Sequence, residues 1–370
     1  MVTHRERWQS AAVTVAAVVL LLVATGCTNN NANNTIGKGC KKIGVLLPDI
    51  GSSPRWERKD HPALQQAIPL ALPGATVDFS NANNSQNTQL SQAETDLNKG
   101  DCILVVAAQD SITATIIVQE AHNKGVPVIA YDRLIKDASL DYYVSFDGVA
   151  VGVAQGDYIQ AHYQQFVTAD KTNNMVMISG SQTDNNALLF SKGIHQVLDP
   201  LFAADTLANQ GETFTLEWDN STAETEIVQY LAKLDNKVAI AYVANDGMAA
   251  TVITALTQQH LNGKVLVTGQ DATTSAITQI ILGNQMMTVY KPISKESQAT
   301  ALLIAAISNG TSSTSLVSST IVYNGTHIPA ILLPVESVDR TNIAATVLAD
   351  GYVTKADICQ GVPSGTDGIC

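Results

Sequence analysis

Residues 43–60 read IGVLLPDIGSSPRWERKD, and the fold is decided by how this stretch is read. Ile43 to Leu47 is an apolar run too short for a helix and closed by Pro48 and Gly51, the pattern of a strand buried on both faces. Ser53-Pro54 has the form of a helix start, Ser53 as N-cap and Pro54 at the first position. A helical pattern then runs from Pro54 to about Leu72. A doubly buried strand followed at once by a helix is the first half of a βαβ unit, and such units build parallel sheets with helices on both faces. Arg55 and Trp56 fall just past the strand, at the edge where open parallel sheets hold ligands.

The same rhythm extends outward. Strands are predicted at Ala75–Phe79, Ile103–Ala107, Val128–Tyr131 and Tyr142–Ser145, with helices over Thr88–Lys99 and Ile112–Asn123 between them. It then starts again. Strands are expected at Met175–Ser179, Thr213–Trp218, Val238–Val243, Val265–Thr268 and Met287–Val289. Helices are expected from Asn185 to about Val197, from Asn220-Ser221, over Met248–His260, Ala276–Leu282 and Lys295–Ser308. Ser221 and Glu224 have the spacing of a capping box. The fold class is α/β: two similar doubly wound parallel-sheet domains, not one large sheet. No Pro-, Gly- or Ser-rich linker separates them, which suits a hinge of several close-packed crossings.

The 370 residues allow two domains of ordinary size, and the composition is that of a globular chain. The net charge of −12 argues against a nucleic-acid partner, which would call for a basic face. At the N-terminus, Arg5 and Arg7 precede an apolar stretch from Ala11 to Ala24, short for a membrane span and of secretory form. It ends Ala24-Thr25-Gly26-Cys27, which resembles a bacterial lipobox. That resemblance implies removal of residues 1–26 and lipidation of Cys27; an uncleaved anchor is the alternative. Cleavage removes two arginines and one glutamate, so the mature charge is −13. The polar run TNNNANNT follows and reads as a flexible tether. The protein is expected outside the cytoplasmic membrane, lipid-anchored at its outer face.

Four cysteines remain, and an even number in an exported chain suggests disulfides. Three pairings are possible. Cys40 and Cys102 each stand just before a predicted strand, and Cys359 and Cys370 bracket the turn-rich QGVPSGTDGI, so Cys40–Cys102 and Cys359–Cys370 are favoured. Chain entropy assigns them roughly 4 and roughly 3 kcal/mol.

Polar residues gather after the predicted strands: Arg55 and Trp56, Asp132 and Arg133, Asp184 with Asn185 and Asn186, Trp218, Asn245 and Asp246, Gln270 and Asp271, and Lys291. Seven groups at one topological edge, with both mature tryptophans among them, point to a shared cleft. Arginine, aspartate, asparagine and lysine together supply donors and acceptors of both signs, which suits a polyol. A pyranose also has apolar C–H faces that two indoles could sandwich. Each residue has a plainer alternative: Trp56 packing its helix on the sheet, Trp218 in the core, Asp132–Arg133 as a local salt bridge, Lys291 as a solvated charge.

RW at 55–56, AYDRLI at 130–135, SFD at 145–147, DNNALLF at 184–190, EWDNSTAE at 217–224, ANDG at 244–247, GQDA at 269–272 and TVYKP at 288–292 together resemble bacterial D-xylose-binding and multiple-monosaccharide-binding proteins. These are solute receptors of sugar ABC transporters with the type I periplasmic-binding-protein fold. The resemblance runs from about Lys42 to Tyr352. It implies a pyranose, xylose or a related sugar such as glucose, between Trp56 and Trp218. Arg55, Asp132, Arg133, Asn186, Asn245, Asp271 and Lys291 would take its hydroxyls, with Asn185 beside them in the candidate set. It implies hinge crossings near Phe146, Lys291 and Leu333, and a transporter permease as partner. The expected division is a lipoprotein signal peptide at 1–26, a tether at 27–39, one lobe from 40–146 plus 292–332, a second from 147–291 plus 333–358, and a disulfide-closed tail at 359–370. A monomer is expected.

Two other functions compete. A carboxylate pair such as Asp132 and Asp271 could hydrolyse a glycoside, but each has a basic neighbour in the motif set that would keep it ionised. The chain has no G-x-S-x-G, H-E-x-x-H or C-x-x-C. None of the seven histidines pairs at metal spacing, so no metal is expected. Gly148, Gly152 and Gly156 are spaced GxxxGxxxG, which suits close helix packing and is not a dinucleotide fingerprint; no cofactor and no enzymatic activity are expected. The second competitor is a receptor that hands its sugar-bound form to a signalling membrane protein, whose cleft would look the same.

Overall fold

The computed structural model of the protein describes residues 36–370 except 171, leaving aside the side chains of 168–170 and 367. The expected signal peptide, the lipidation site at Cys27 and most of the tether lie outside the described residues.

The first sheet takes β1 (Lys42–Leu47), β2 (Thr76–Asn81), β3 (Ile103–Val106), β4 (Val128–Tyr131) and β5 (Tyr142–Phe146), all parallel. The second takes β6 (Asn174–Ser179), β7 (Ala208–Phe214), β8 (Ile240–Val243) and β9 (Leu266–Val267), also parallel. A parallel bridge from Gln270 to Val289 continues it to β10 (Met287–Tyr290). The chain then returns to the first sheet: β11 (Ser319–Tyr323) and β12 (Thr326–Leu333) form a hairpin, and β12 lies parallel to β5. Finally β13 (Glu336–Asp339) pairs antiparallel with β10. The sheet orders are β11-β12-β5-β4-β3-β1-β2, β7-β6-β8-β9 and β10-β13. The chain thus passes between the lobes three times, after Phe146, after Tyr290 and after Leu333.

Helices cover both faces. In the first lobe these are α1 (His61–Ala71), α2 (Gln86–Lys99) and α3 (Thr115–Asn123); in the second, α4 (Gly148–Asp170), α5 (Asn185–Ala203), α6 (Asn220–Lys233), α7 (Asp246–Gln258) and α8 (Thr274–Leu282). The long α9 (Ile293–Asn309) packs on α1, and a short α10 (Lys355–Ile358) lies near the C-terminus. The central strands are wholly buried, Ile103–Val106 and Ile240–Val243 among them, as doubly covered parallel strands must be. The first lobe has a core on each face of its sheet, and the second has one large core around β6 and β8. Each fully buried Leu, Ile or Val side chain contributes about 1.5–3 kcal/mol.

The glycine triplet serves helix packing. A Cβ on Gly152 of α4 would sit 2.0 Å from the Phe190 carbonyl oxygen, and one on Gly193 of α5 would sit 2.2 Å from that of Val149. Only glycine at both positions lets these helices approach so closely. Both favoured disulfides are formed, Cys40–Cys102 and Cys359–Cys370.

Several local expectations need correction. Residues 56–60 form one wide π-type turn, with the His61 amide donating to the Trp56 carbonyl, before α1 begins. Ser53 Oγ accepts from the Arg55 amide at 3.5 Å at this helix start and also donates to Asp271 Oδ2 at 2.7 Å. The predicted strand Thr213–Trp218 lies earlier, at Ala208–Phe214, because Glu217 and Trp218 take left-handed φ of 57° and 55°. The cap of α6 is Asp219, which accepts from the Thr222 amide, and not Ser221.

Candidate functional site

The C-terminal ends of the strands of both lobes meet across one small cavity. Its walls are Ser52, Ser53, Arg55, Trp56, Asp132 and Arg133 from the first lobe, and Asp184, Asn186, Phe190, Trp218, Asn245, Gln270 and Asp271 from the second, with Lys291 on the crossing between them. The enclosed space is about 30 Å³, room for a water or two. Polar contacts draw the lobes together around it. Ser53 Oγ donates to Asp271 Oδ2 at 2.7 Å, Arg133 Nε to Asp184 Oδ2 at 3.0 Å, and Asn186 Nδ2 to Asp132 Oδ1 at 3.0 Å. At the rim the Ser111 amide donates to the Thr183 carbonyl at 2.9 Å, and Asn84 Nδ2 to Glu217 Oε2 at 2.8 Å.

Asp132 is the electrostatic centre. Its Oδ2 accepts from Arg55 Nη1 at 2.8 Å and from Lys291 Nζ at 3.1 Å. Burial alone would raise this carboxyl, but the two cations outweigh it and hold the group below the ordinary carboxylate range. An aspartate held ionised in this way cannot serve as the general acid of glycoside hydrolysis. Arg55 is in turn fixed from behind. Asp60 takes its Nη2 at 2.7 Å and Nε at 2.9 Å, and Glu296 of α9 takes Nη2 at 3.3 Å. Burial pushes Glu296 well up, with the Asp132 charge adding to the rise, and its Oε1 has no hydrogen-bond partner among the described residues. Burial also raises Asp184, against the pull of Arg133.

The two indoles are held differently. The Arg55 guanidinium lies 4.4 Å, and that of Arg133 5.2 Å, from the Trp56 ring centroid, the geometry of cation–π contact. Trp56 Nε1 is buried with no acceptor among the described residues. Trp218 donates through Nε1 to Asp184 Oδ2 at 3.2 Å and meets Phe190 edge-on at 6.2 Å. Its indole is packed so closely over Gly180 that a Cβ there would lie 2.2 Å from the ring. Trp218 thus belongs both to the second lobe's core and to the cavity wall.

Backbone conformation marks the same place. Asp132 (φ 56°), Trp218 (φ 55°) and Asp271 (φ 108°) all lie in the left-handed region, which is unfavourable for side-chain-bearing residues and concentrates at functional sites.

The chain matches the family model of the periplasmic binding protein domain over residues 43–312. The chain belongs to the periplasmic binding protein family. This periplasmic binding protein is 35% identical over 318 residues to the D-xylose-binding periplasmic protein of Haemophilus influenzae, covering 86% of this chain and 92% of that one. It is 32% identical to a multiple sugar-binding periplasmic protein of Azospirillum brasilense, over 92% of this chain and 96% of the other. The crystal structure of an ABC transporter solute-binding protein from Clostridium phytofermentans with bound β-D-glucose superposes with a TM-score of 0.77 at 27% identity, covering 86% of this chain and all of that one. The fold is accordingly that of type I periplasmic binding proteins.

Of the residues singled out in the sequence, Arg55, Trp56, Asp132, Arg133, Asn186, Trp218, Asn245, Asp271 and Lys291 line the cavity of this periplasmic binding protein. Asn185 does not; its amide donates to Ser111 Oγ at 3.1 Å beside the cavity. Asp184 and Gln270 stand in the wall although nothing in the sequence prefers them to their neighbours. Ser52, Ser53 and Phe190 join them. Asp60 and Glu296, which orient Arg55, carry no sequence signal beyond an ordinary position at a helix start.

Proposed function

We propose that the protein is the extracytoplasmic solute-binding receptor of a sugar ABC transporter. It takes a monosaccharide pyranose, xylose or glucose among the candidates, between its lobes and presents it to the permease. The observation behind this reading is the composition of the cavity wall: two indoles, two guanidiniums, an ammonium, three carboxylates and three carboxamides, all nearly removed from solvent. Such a set offers paired donors and acceptors to ring hydroxyls and apolar faces to C–H groups.

The geometry implies a mechanism. A space of about 30 Å³ is too small for a pyranose, so the lobes part about the three crossings to admit it. On closure, sugar hydroxyls replace some of the ion-pair contacts around Asp132 and Asp271, and the ligand bridges walls from both lobes. The moving bodies in this reading are residues 40–146 with 292–332 and residues 147–291 with 333–358. Micromolar affinity requires about 8 kcal/mol net; a few charge-assisted hydrogen bonds at about 1.5–3 kcal/mol each, plus stacking, meet it before ordering costs.

Ile50, Ile112 and Leu216 are 55%, 67% and 62% exposed. They follow β1, β3 and β7, at the cavity's end of both lobes. In this reading they contribute to the surface that the permease recognises in the closed form. Export and attachment through lipidated Cys27 to the outer face of the membrane, as a monomer, complete the proposal; mass spectrometry of the membrane-extracted N-terminus tests the lipid. A thermal-shift screen of pentoses and hexoses tests the function. A rise in melting temperature with at least one monosaccharide is expected, and a flat response to all of them would refute the reading.

A further inference from the structure

We propose that Lys59 and Tyr352 form a latch outside the cleft that holds the lobes closed, and that the C-terminal segment stapled by Cys359–Cys370 serves to present Tyr352 to it. The inference rests on the interlobe binding proposed above and adds a determinant of how long the ligand stays.

Lys59 lies in the wide turn that follows Trp56, on the first lobe. Its ammonium donates to the Tyr352 backbone carbonyl and sits 4.5 Å from the centroid of the Tyr352 ring. Burial lowers Lys59, and the nearby Asp357 charge pulls the other way. Tyr352 belongs to the second lobe. Its ring tilts against Tyr290 with centroids 4.8 Å apart, and its hydroxyl donates to the Asp271 carbonyl oxygen at 3.1 Å. One side chain therefore touches the opposite lobe and steadies the backbone of Asp271, whose left-handed φ needs such support.

The segment behind Tyr352 is built to hold it. Val347, Val353 and Ile358 are buried against Ile277 and Ile281 of α8, and Cys359 and Cys370 join the same cluster. Thr278 Oγ1 donates to the Ile358 carbonyl at 2.9 Å. Neither Lys59 nor Tyr352 lines the cavity between the tryptophans. They border a separate space of about 300 Å³ that shares only Arg55 with it. A cation over an aromatic face, combined with a charge-assisted hydrogen bond, is a contact that exists only while the lobes are closed. It slows opening without touching ligand.

The test uses Lys59→Met, which keeps the aliphatic stem and loses the charge, and Lys59→Arg, which keeps both cation and donor. Dissociation of D-xylose and D-glucose is followed by stopped-flow fluorescence, and lobe separation in the sugar-free protein by spin-label distances. Lys59→Met should release sugar about tenfold faster with association nearly unchanged, and should populate longer interlobe distances; Lys59→Arg should restore both. The paired Cys359→Ser and Cys370→Ser variant should shift both readouts the same way. Dissociation and distances unchanged in Lys59→Met would overturn the latch, and unchanged values in the cysteine variant would overturn the role given to the tail. If neither sugar binds the unmodified protein, the ligand reading fails, while the distance measurement still decides the latch.

Discussion

Lys291 Nζ lies 3.1 Å from Asp132 Oδ2, which places a cation of one interlobe crossing on the central carboxylate of the first lobe's wall. The same ammonium is 3.7 Å from Asp271 Oδ1 in the second lobe. A residue on the hinge thus already links the two carboxylates that, in the proposed mechanism, exchange ion pairs for sugar hydroxyls. Binding and closure share these groups, so their removal acts on both.

Asp271→Asn should weaken monosaccharide binding at least tenfold while the protein stays folded, because asparagine tolerates the left-handed backbone at this position but lacks the charge facing Lys291 and Arg55. Trp218→Phe should do the same through lost stacking area while keeping an aromatic in the core cluster. Intrinsic fluorescence titration reports affinity, and circular dichroism reports the fold. Wild-type affinity in both variants would remove the site assignment.

Asp246 gives a pH prediction. It is buried at the start of α7 and accepts from the Thr273 amide, Gln285 Nε2 and Thr288 Oγ1. Burial, with Asp271 nearby, pushes it up to about 7. A carboxyl raised on folding stabilises the native state fully below its unfolded value near 3.8, and that contribution is lost as pH rises through about 7. The slope is at most about 1.4 kcal/mol per pH unit. Urea unfolding between pH 4 and pH 8 should show wild type losing stability relative to Asp246→Asn as pH rises; parallel curves would contradict the assignment.

Gly152→Ala should destabilise the second lobe by about 1–3 kcal/mol or more, since the added methyl would meet the Phe190 carbonyl of α5. The same helix begins at the wall residues Asp184 and Asn186, so sugar affinity should fall as well. Thermal melting and titration of one sample check both effects, and a melt unchanged from wild type would mean that the helices part at little cost.

Ile112→Asp together with Leu216→Asp should leave sugar affinity within about twofold, because neither residue lines the cavity and surface changes of this kind rarely alter the fold. Sugar-stimulated ATP hydrolysis by the reconstituted transporter should fall at least tenfold. Full stimulation would place the docking surface elsewhere.

The α/β class was legible because doubly buried strands leave unbroken apolar runs, as at Ile43–Leu47 and Ile103–Ala107, and because helices announce their ends, as at Gly100 and Gly310. The β11–β12 hairpin is harder to read although Asn324-Gly325 at its turn is a strong hairpin signal: β11 is short and half-exposed, and Pro329 falls inside β12, where a proline argues against a strand. Trp218 looks like the end of a strand because sequence does not show that Glu217 and Trp218 turn left-handed. Most of the wall was legible as polar residues after strands. Ser53 was not, since its local role as a helix cap concealed its bond to Asp271, 218 positions away. Asp60 and Glu296 were out of reach for a related reason. An acid near a helix start is ordinary, and only burial against Arg55 reveals the difference.

The central claim is tested most directly by a crystal structure of the mature protein grown with D-xylose or D-glucose. The account predicts a pyranose enclosed between the indoles of Trp56 and Trp218, with hydroxyls on Asp132 and Asp271 and with Lys291 drawn away from at least one of these carboxylates. A sugar bound elsewhere, or an unchanged Asp132–Lys291 pair with both indoles packed against protein alone, would contradict it.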